Sequence, residues 1–385
     1  MLRAAAVGLA LVTLLTGCSG LYKKTRDEAD LELVRTVGVD LGGDGGLTVT
    51  ADTGLGAQGE PPSLYTASAA TLGEAVESLR MKPECRDTFF AHTEHLLIGE
   101  EAAKAGLDGV LDFVIRSPEL RLDTELFIVK GSGAGETMQT VGGERASASD
   151  ELRFLKRYAA RTGRSYTVEC GEAAAELLLT GASLAPAVSL KASGDISEGG
   201  AGAAVDTAGL AVLRDARLAY FLTEEESRGA VILKDRFEGA MLSVPDEAGN
   251  EVTVRLLKAK TKLEPSYRDG KLERVLVRVS LTAGVVQTAG ISSPGDRETR
   301  EHIAGQTAAA EKAAVDAALR RAQETGIDFL GLGAALSRRD PVKFSETKPA
   351  WEAVFPTLPV VTEVTCAVVR TYELDSPLRF SRSGT

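Results

Sequence analysis

Three histidines are available for chemistry, His92, His95 and His302, and two of them stand three residues apart in His92-Thr-Glu-His95. Imidazole nitrogens bind metal ions and move protons near neutral pH. The spacing fits neither His-Glu-x-x-His nor its inverted form. On a strand a three-residue step puts the two rings on opposite faces, and on a helix they share one. A structural or surface role is therefore expected for both, with no metal. His302 stands at an exposed helix start with no visible partner.

A serine nucleophile wants a sharp Gly-x-Ser-x-Gly turn, and the chain offers only GSGAG at 131–135, which reads as linker. The GGDGG cluster at 42–46 lacks the Gly-x4-Gly-Lys-Ser/Thr of a phosphate loop. It is expected to be a hairpin turn. Glu224-Glu225-Glu226 follows Thr223 and reads as a capped, solvated helix start rather than an acid/base pair. Aromatics make up 5% of the chain, which leaves few stacking platforms for sugars or bases. No catalytic residue, metal or cofactor is expected, and a binding or assembly role fits better than an enzyme.

The cysteines are Cys18, Cys85, Cys170 and Cys366. Cys18 closes Leu15-Thr16-Gly17-Cys18 behind Arg3 and an uncharged run from Ala4 to Thr16. That run is shorter than the roughly 20 apolar residues of a spanning helix and reads as a signal-peptide core. Its end resembles a bacterial lipobox, so Cys18 is the expected lipidation site and first mature residue. The other three cysteines show no metal-ligand spacing. A Cys85–Cys170 disulfide and three free thiols both stand open. Cys366 reads as a small core residue in a β-rich run.

The elements that must carry these residues fall into an ordered series. The 385 residues suggest two or three domains. The net charge of −11 argues against a nucleic-acid backbone as partner and against a broad electrostatic grip on anionic lipid. Behind a signal peptide at 1–17 and a polar tether at 18–30, an N-terminal α/β unit is expected at 31–135. A middle α/β unit follows at 150–240, and an α+β unit at 245–375 with an antiparallel sheet and one long helix. Overall the fold class is α+β, three mixed α/β domains in sequence. Within them the spacing predicts a helix over 71–82, opened by Thr71 with Glu74 three residues on. A glycine-rich linker is expected at 131–150, and mostly helix over 151–186. A hairpin should turn at Arg214-Asp215, and a helix should start at 223. Val275, Val277, Val279 and Leu281 share the buried side of a strand, with EVTVRLLKAKTKLEP as its antiparallel neighbour. Residues 298–325 form the longest helix, ending before Gly326.

Several stretches together resemble the C subunit of bacterial spore germinant receptors, the Ger(x)C lipoprotein family. They are LTGC, FFAHTEHLLIGEEAAKAGLDGVLDFVIRSPELR, TAGLAVLRDARLAYFLTEEESRG, GIDFLGLGAALSRRDP with Trp351 beyond it, and LPVVTEVTCAVVRTYEL. They follow the family's order and spacing over most of the mature chain. His92 and Glu100 match its "H…iGeE" segment. Arg116, Pro118 and Glu119, continuing to Arg121, match "RdpeiR". Glu225 or Glu226 with Arg228 and Gly229 matches "eEtrG", and Asp328, Gly331 and Gly333 match "DifGfG". The chain departs in lacking Trp-Asp after Cys18, in placing Leu332 at the aromatic of "GfG", and in its first hairpin.

The resemblance implies three α/β-type domains and a non-enzymatic subunit of a nutrient-sensing complex. Its partners would be membrane-embedded A-type and B-type subunits, with sensing mainly in the B type. The chain would be held by Cys18 at the outer face of the spore inner membrane, acting in assembly or signalling. The matched residues would be fold and interface positions. A lipid-anchored solute-binding protein of an importer is the alternative, and a cell-envelope hydrolase a third. The first needs two similar lobes around a cleft, and the second a clustered nucleophile and base or a metal site.

Overall fold

The structure, a computed structural model, describes residues 31–54, 61–82, 87–117, 119–142, 147–192, 203–288 and 296–370. Cys18, the leader, the tether, Cys85 and Pro118 lie outside these residues. Strand β1 (Leu31–Leu33) leads into β2 (Thr36–Leu41), β3 (Leu47–Asp52) and β4 (Leu64–Ala69). The turn between β2 and β3 is the GGDGG cluster, with Gly45 at φ 79°, an angle that favours glycine. Helix α1 (Leu72–Arg80) starts at Thr71, whose hydroxyl accepts from the Glu74 N–H. Strand β5 (Asp87–Phe89) pairs with β1, and a single 3₁₀ turn at 90–92 leads to β6 (His95–Ile98). Then come α2 (Glu100–Ala105), α3 (Asp108–Arg116), β7 (Glu125–Val129), α4 (Ala134–Val141), α5 (Ala148–Thr162) and α6 (Cys170–Thr180). Strands β8 (Ala182–Ala192), β9 (Ala203–Arg214) and β10 (Arg217–Phe221) follow.

Eight of these strands form one mixed sheet in the order β10-β9-β8-β7-β6-β2-β3-β4. Its centre, β2, β6, β7 and β8, is parallel, and both flanks are antiparallel. Strand β6 is buried throughout, as is β7 after its first residue. Their apolar runs are the pattern of strands covered on both faces.

Sequence and structure differ here in definite places. Strands from the 31–135 and 150–240 stretches share this sheet, because β7 pairs in parallel with β8, Ile128 opposite Ala187. The 131–150 stretch is not a linker. It carries α4 and the start of α5, with Gly133 at the N-cap and Gly142 at the C-cap of α4. The 151–186 stretch becomes strand at Ala182. The β9–β10 turn lies at Asp215 and Ala216, with φ 47° and 54°, one residue later than expected. Two successive left-handed residues suit the twist of a hairpin.

After α7 (Glu224–Leu233), a second sheet forms from β11 (Ala240–Pro245), β12 (Glu251–Arg268), β13 (Lys271–Thr288) and β14 (Val360–Arg370), in that order. Val275, Val277, Val279 and Leu281 are buried as expected. The sheet is antiparallel except for β14, which runs parallel to β13. The chain reaches β14 through α8 (Arg297–Thr325) and α9 (Leu332–Arg339), and a long crossover of this kind is what a parallel neighbour needs.

The two sheets meet through α7 and α8. One buried apolar cluster runs from Leu210 on β9 through Ile232 on α7 to Val315 on α8 and Val277 on β13. The closest approach is at Gly229. A Cβ there would sit 2.0 Å from the Ala314 carbonyl oxygen and 3.0 Å from the Ala318 methyl. On α8 itself, Gly305 has nothing within 4 Å of such a Cβ. Gly229→Ala is therefore expected to destabilise the protein by about 1–3 kcal/mol despite its better helix propensity. Gly305→Ala should stabilise it by about 0.5–1 kcal/mol. Urea unfolding midpoints of both variants check this, and equal effects would remove the close contact as the cause.

Candidate functional site

Most of the residues matched in the second half of the chain converge on this joint. Glu226 completes a capping box with Thr223: each side chain bonds the other's backbone N–H, at 2.8 and 3.2 Å. Arg228 reaches α8, where its Nε lies 3.3 Å from Glu311 Oε2. The Glu311 side chain is wholly buried, and neither of its oxygens accepts a hydrogen bond among the described residues. Burial raises the Glu311 pKa, and the Arg228 charge pulls the other way.

Asp328 is the second anchor. Its Oδ1 accepts from the Leu332 N–H at 2.9 Å, and its Oδ2 from the Gly333 N–H at 2.8 Å and the Trp351 indole N–H at 2.9 Å. One carboxylate thus caps α9 and holds the tryptophan. Gly331, at φ 71°, makes the left-handed entry to the helix. A Cβ on Gly333 would lie 2.5 Å from Trp351 Nε1, so this glycine leaves room for the indole. Burial pushes the Asp328 pKa up to about 6, against the pull of the three N–H donors and of Lys234. Lys234, at the end of α7, is ion-paired to Glu176 of α6.

The first half of the chain builds a different place. Glu100 opens α2, accepts from the Gly131 N–H at 2.6 Å and pairs with Lys104 at 2.7 Å. The Lys104 hydrogen bond holds its pKa below the usual carboxylate value. Beside it Asp40, at the end of β2, accepts from the Ala134 and Gly135 N–H groups, both at 2.7 Å. A Cβ on Gly99 would stand 2.0 Å from Asp40 Oδ1. The glycine before Glu100 is therefore required by a carboxylate that sequence reasoning passed over.

His92 is exposed in the 3₁₀ turn, while His95 is 2% exposed at the start of β6. Both line a cleft of about 400 Å³, together with Arg35, Glu94, Glu125, Arg153 and Lys156. Burial holds the His95 imidazole neutral, with a pKa of about 4, although Glu94 works against it. Glu94 bridges Arg35 and Arg153, at 2.8 Å to each, and Lys156 pairs with Glu125. No group of three or more His, Cys, Asp or Glu side chains among the described residues is placed to hold a metal ion.

Other matched residues are locally satisfied. Arg116 is exposed and bonds Asp112 one turn back at 2.7 Å, and Arg121 is exposed and bonds Asp123. Glu119 makes the longer-range contact of that segment, a two-pronged pair with Arg80 on α1. Cys170 is a buried free thiol with a pKa raised by burial to about 12, and Cys366 is a half-buried free thiol. His302 is half-buried rather than exposed, with Nε2 unpartnered among the described residues.

These two halves are also the two parts recognised by comparison. Residues 25–190 match the family model described as spore germination protein N-terminal domain. Residues 208–372 match spore germination B3/GerAC like, C-terminal. The chain belongs to this spore germination family. Spore germination protein KC of Bacillus subtilis (strain 168) is 25% identical and covers 96% of each chain. The putative spore germination protein YfkR of the same strain is 24% identical over 91% of this chain and 92% of that one. Among solved structures, the crystal structure of the GerBC protein matches with a TM-score of 0.55 at 17% identity. It covers 86% of this chain and 96% of that one, which is a likeness of fold. The division at about residue 200 falls between β8 and β9, inside the large sheet, so the family's two parts share one folded body.

The buried Asp328 gives a pH test. Its folded pKa of about 6 stands above the 3.8 of a free side chain. Its contribution to stability is therefore fully present below pH 3.8 and is lost as pH rises through about 6, a change of about 3 kcal/mol at most. Asp328→Asn should lower stability at neutral pH, because an amide nitrogen cannot accept from the donors around it. It should also flatten the fall between pH 4 and 7 relative to the parent. Urea midpoints across that range check both, and parallel pH curves for the two proteins would discount Asp328 as the titrating group.

Proposed function

We propose that this chain is a non-enzymatic subunit of a nutrient receptor that triggers spore germination, acting in assembly or signalling. The observation that carries this is the match of the two family models, 25–190 and 208–372, in order along one chain. The side chains at the matched positions favour a structural task. Asp328, Glu226, Arg228 and Gly229 cap, pair and pack, and none leaves a nucleophile beside a base. As finer parts of the proposal, Cys18 carries the lipid that fastens the chain to the outer face of the spore inner membrane. The A-type and B-type membrane subunits are its partners. Among the described residues no helix is long and apolar enough to cross a membrane, so attachment falls to the leader cysteine in this scheme.

Two outcomes are expected. Tagged protein purified from spore membranes should bring A-type and B-type subunits with it, and their absence under gentle extraction would sink the receptor assignment. Cys18→Ala should abolish labelled acyl incorporation and release the protein from membrane fractions. Labelling that persists in the variant would move the anchor elsewhere.

A further inference from the structure

The chain is strongly acidic overall, but residues 153–164, RFLKRYAARTGR, hold five cations and no carboxylate. Most of them lie on α5. Leu152, Leu155 and Ala159 face the core. At about 100° per residue, the outward residues of 153–161 read Lys156, Arg153, Arg157, Arg161, Phe154, Tyr158 in order around the axis, with the carboxylates of the helix, Asp150 and Glu151, confined to its first turn. Beyond that turn a basic strip lies directly against an aromatic one. Phe154 is 60% and Tyr158 59% exposed, with ring centroids 5.0 Å apart. Arg153, Lys156 and Arg164 are engaged with Glu94, Glu125 and Glu224. Arg157 and Arg161 have no acidic partner among the described residues. Both line a cleft of about 500 Å³ together with Ser165, and its lining carries a single carboxylate, Glu238.

We infer that the outer face of α5 is a second membrane contact, which docks on the anionic headgroups of a phospholipid bilayer. Unpaired arginines meet the phosphates, and the stacked rings settle at the headgroup boundary, the arrangement of an interfacial helix. Two aromatic side chains offer far less than the roughly 800 Å² per partner of a standard protein interface. A bilayer needs less from them, because a chain already tethered to the surface meets it at high effective concentration. In this respect the inference rests on the lipid-anchor proposal.

The test uses the acylated full chain bound to vesicles of phosphatidylcholine, with or without phosphatidylglycerol. Tyr158→Trp supplies a fluorophore, with the parent chain's Trp351 signal as background, and brominated acyl chains quench what lies at the boundary. Quenching should be at least about twofold greater with phosphatidylglycerol. It should be lost at high salt and with Arg157→Glu plus Arg161→Glu, while circular dichroism stays unchanged. Equal quenching in both vesicles, or none, overturns the inference. Loss of quenching with millimolar inorganic phosphate at constant ionic strength would overturn it in favour of a soluble phosphate ligand. Co-purification of receptor subunits that fails in the charge-reversed variant while quenching persists would overturn it in favour of a protein partner. Acyl labelling reports the anchor separately: a chain that takes no acyl label yet binds phosphatidylglycerol vesicles in preference to phosphatidylcholine ones supports this inference while the anchor proposal fails.

Discussion

The structure depends on how closely α7 and α8 approach. Backbone meets backbone at Gly229 and Ala314, so closely that any side chain at 229 would push the two helices apart. Around that point Arg228 reaches Glu311, and Arg321 Nε lies 3.9 Å from Glu226. The other side of α7 is tied to the large sheet, because the Ser227 hydroxyl accepts from the Leu210 N–H of β9 at 3.1 Å. A third side is tied to the second sheet, where the Thr261 hydroxyl of β12 donates to the Ile232 carbonyl at 2.7 Å. One ten-residue helix thus holds both sheets. It holds them through the close packing at Gly229 and two directional hydrogen bonds, at Ser227 and Ile232.

Those contacts are polar at a cost. Glu311 and Asp328 both have pKa values raised by burial, which means that each ionised carboxylate works against folding. An apolar substitute of the same shape is often as stable as a buried ion pair. What Asp328 adds is direction, because it takes three donors from two separate segments. Glu311, whose oxygens accept no hydrogen bond among the described residues, is held by the charge of Arg228. We therefore regard this joint as built for one arrangement of the two sheets, and the cost in stability as secondary to it.

The parts legible in the sequence were the local ones. Thr71 and Thr223 announced their helices, because a capping hydroxyl acts within three residues. The alternation of Val275, Val277, Val279 and Leu281 revealed a one-sided strand, and the alanine-rich 298–325 stretch revealed α8 to within a residue. What could not be read was long-range pairing. Nothing near Ile128 indicates that Ala187 will lie beside it, so the single sheet stayed hidden behind a glycine-rich stretch that looked like a boundary. The parallel direction of β14 was hidden likewise. The resemblance placed Asp328, Gly333, Arg228 and Gly229 where the structure gives each a physical task. It was less informative at Arg116 and Arg121, which pair within their own segment. Asp40, Glu94, Glu125 and Glu311 were missed because, in an acidic chain, one more carboxylate carries no signal until its donor is seen across the fold.

The same reasoning applies to the charge. A net charge of −11 describes the interaction of the whole body with a distant field. At contact distance, screening shortens the range to about 8 Å, and only the facing residues count. Acidic groups at Glu224 and Glu225 lie on the exposed start of α7, whereas Arg157 and Arg161 stand open on α5. Although Glu224 reaches Arg164 and Asp150 and Glu151 begin α5, the open Arg157 and Arg161 give its outer face a preference for an anionic surface even while the total charge is repelled. Under the proposed function, orientation decides whether the α7–α8 joint is presented to membrane-embedded partners. The acidity therefore does not oppose membrane contact. It restricts that contact to one face.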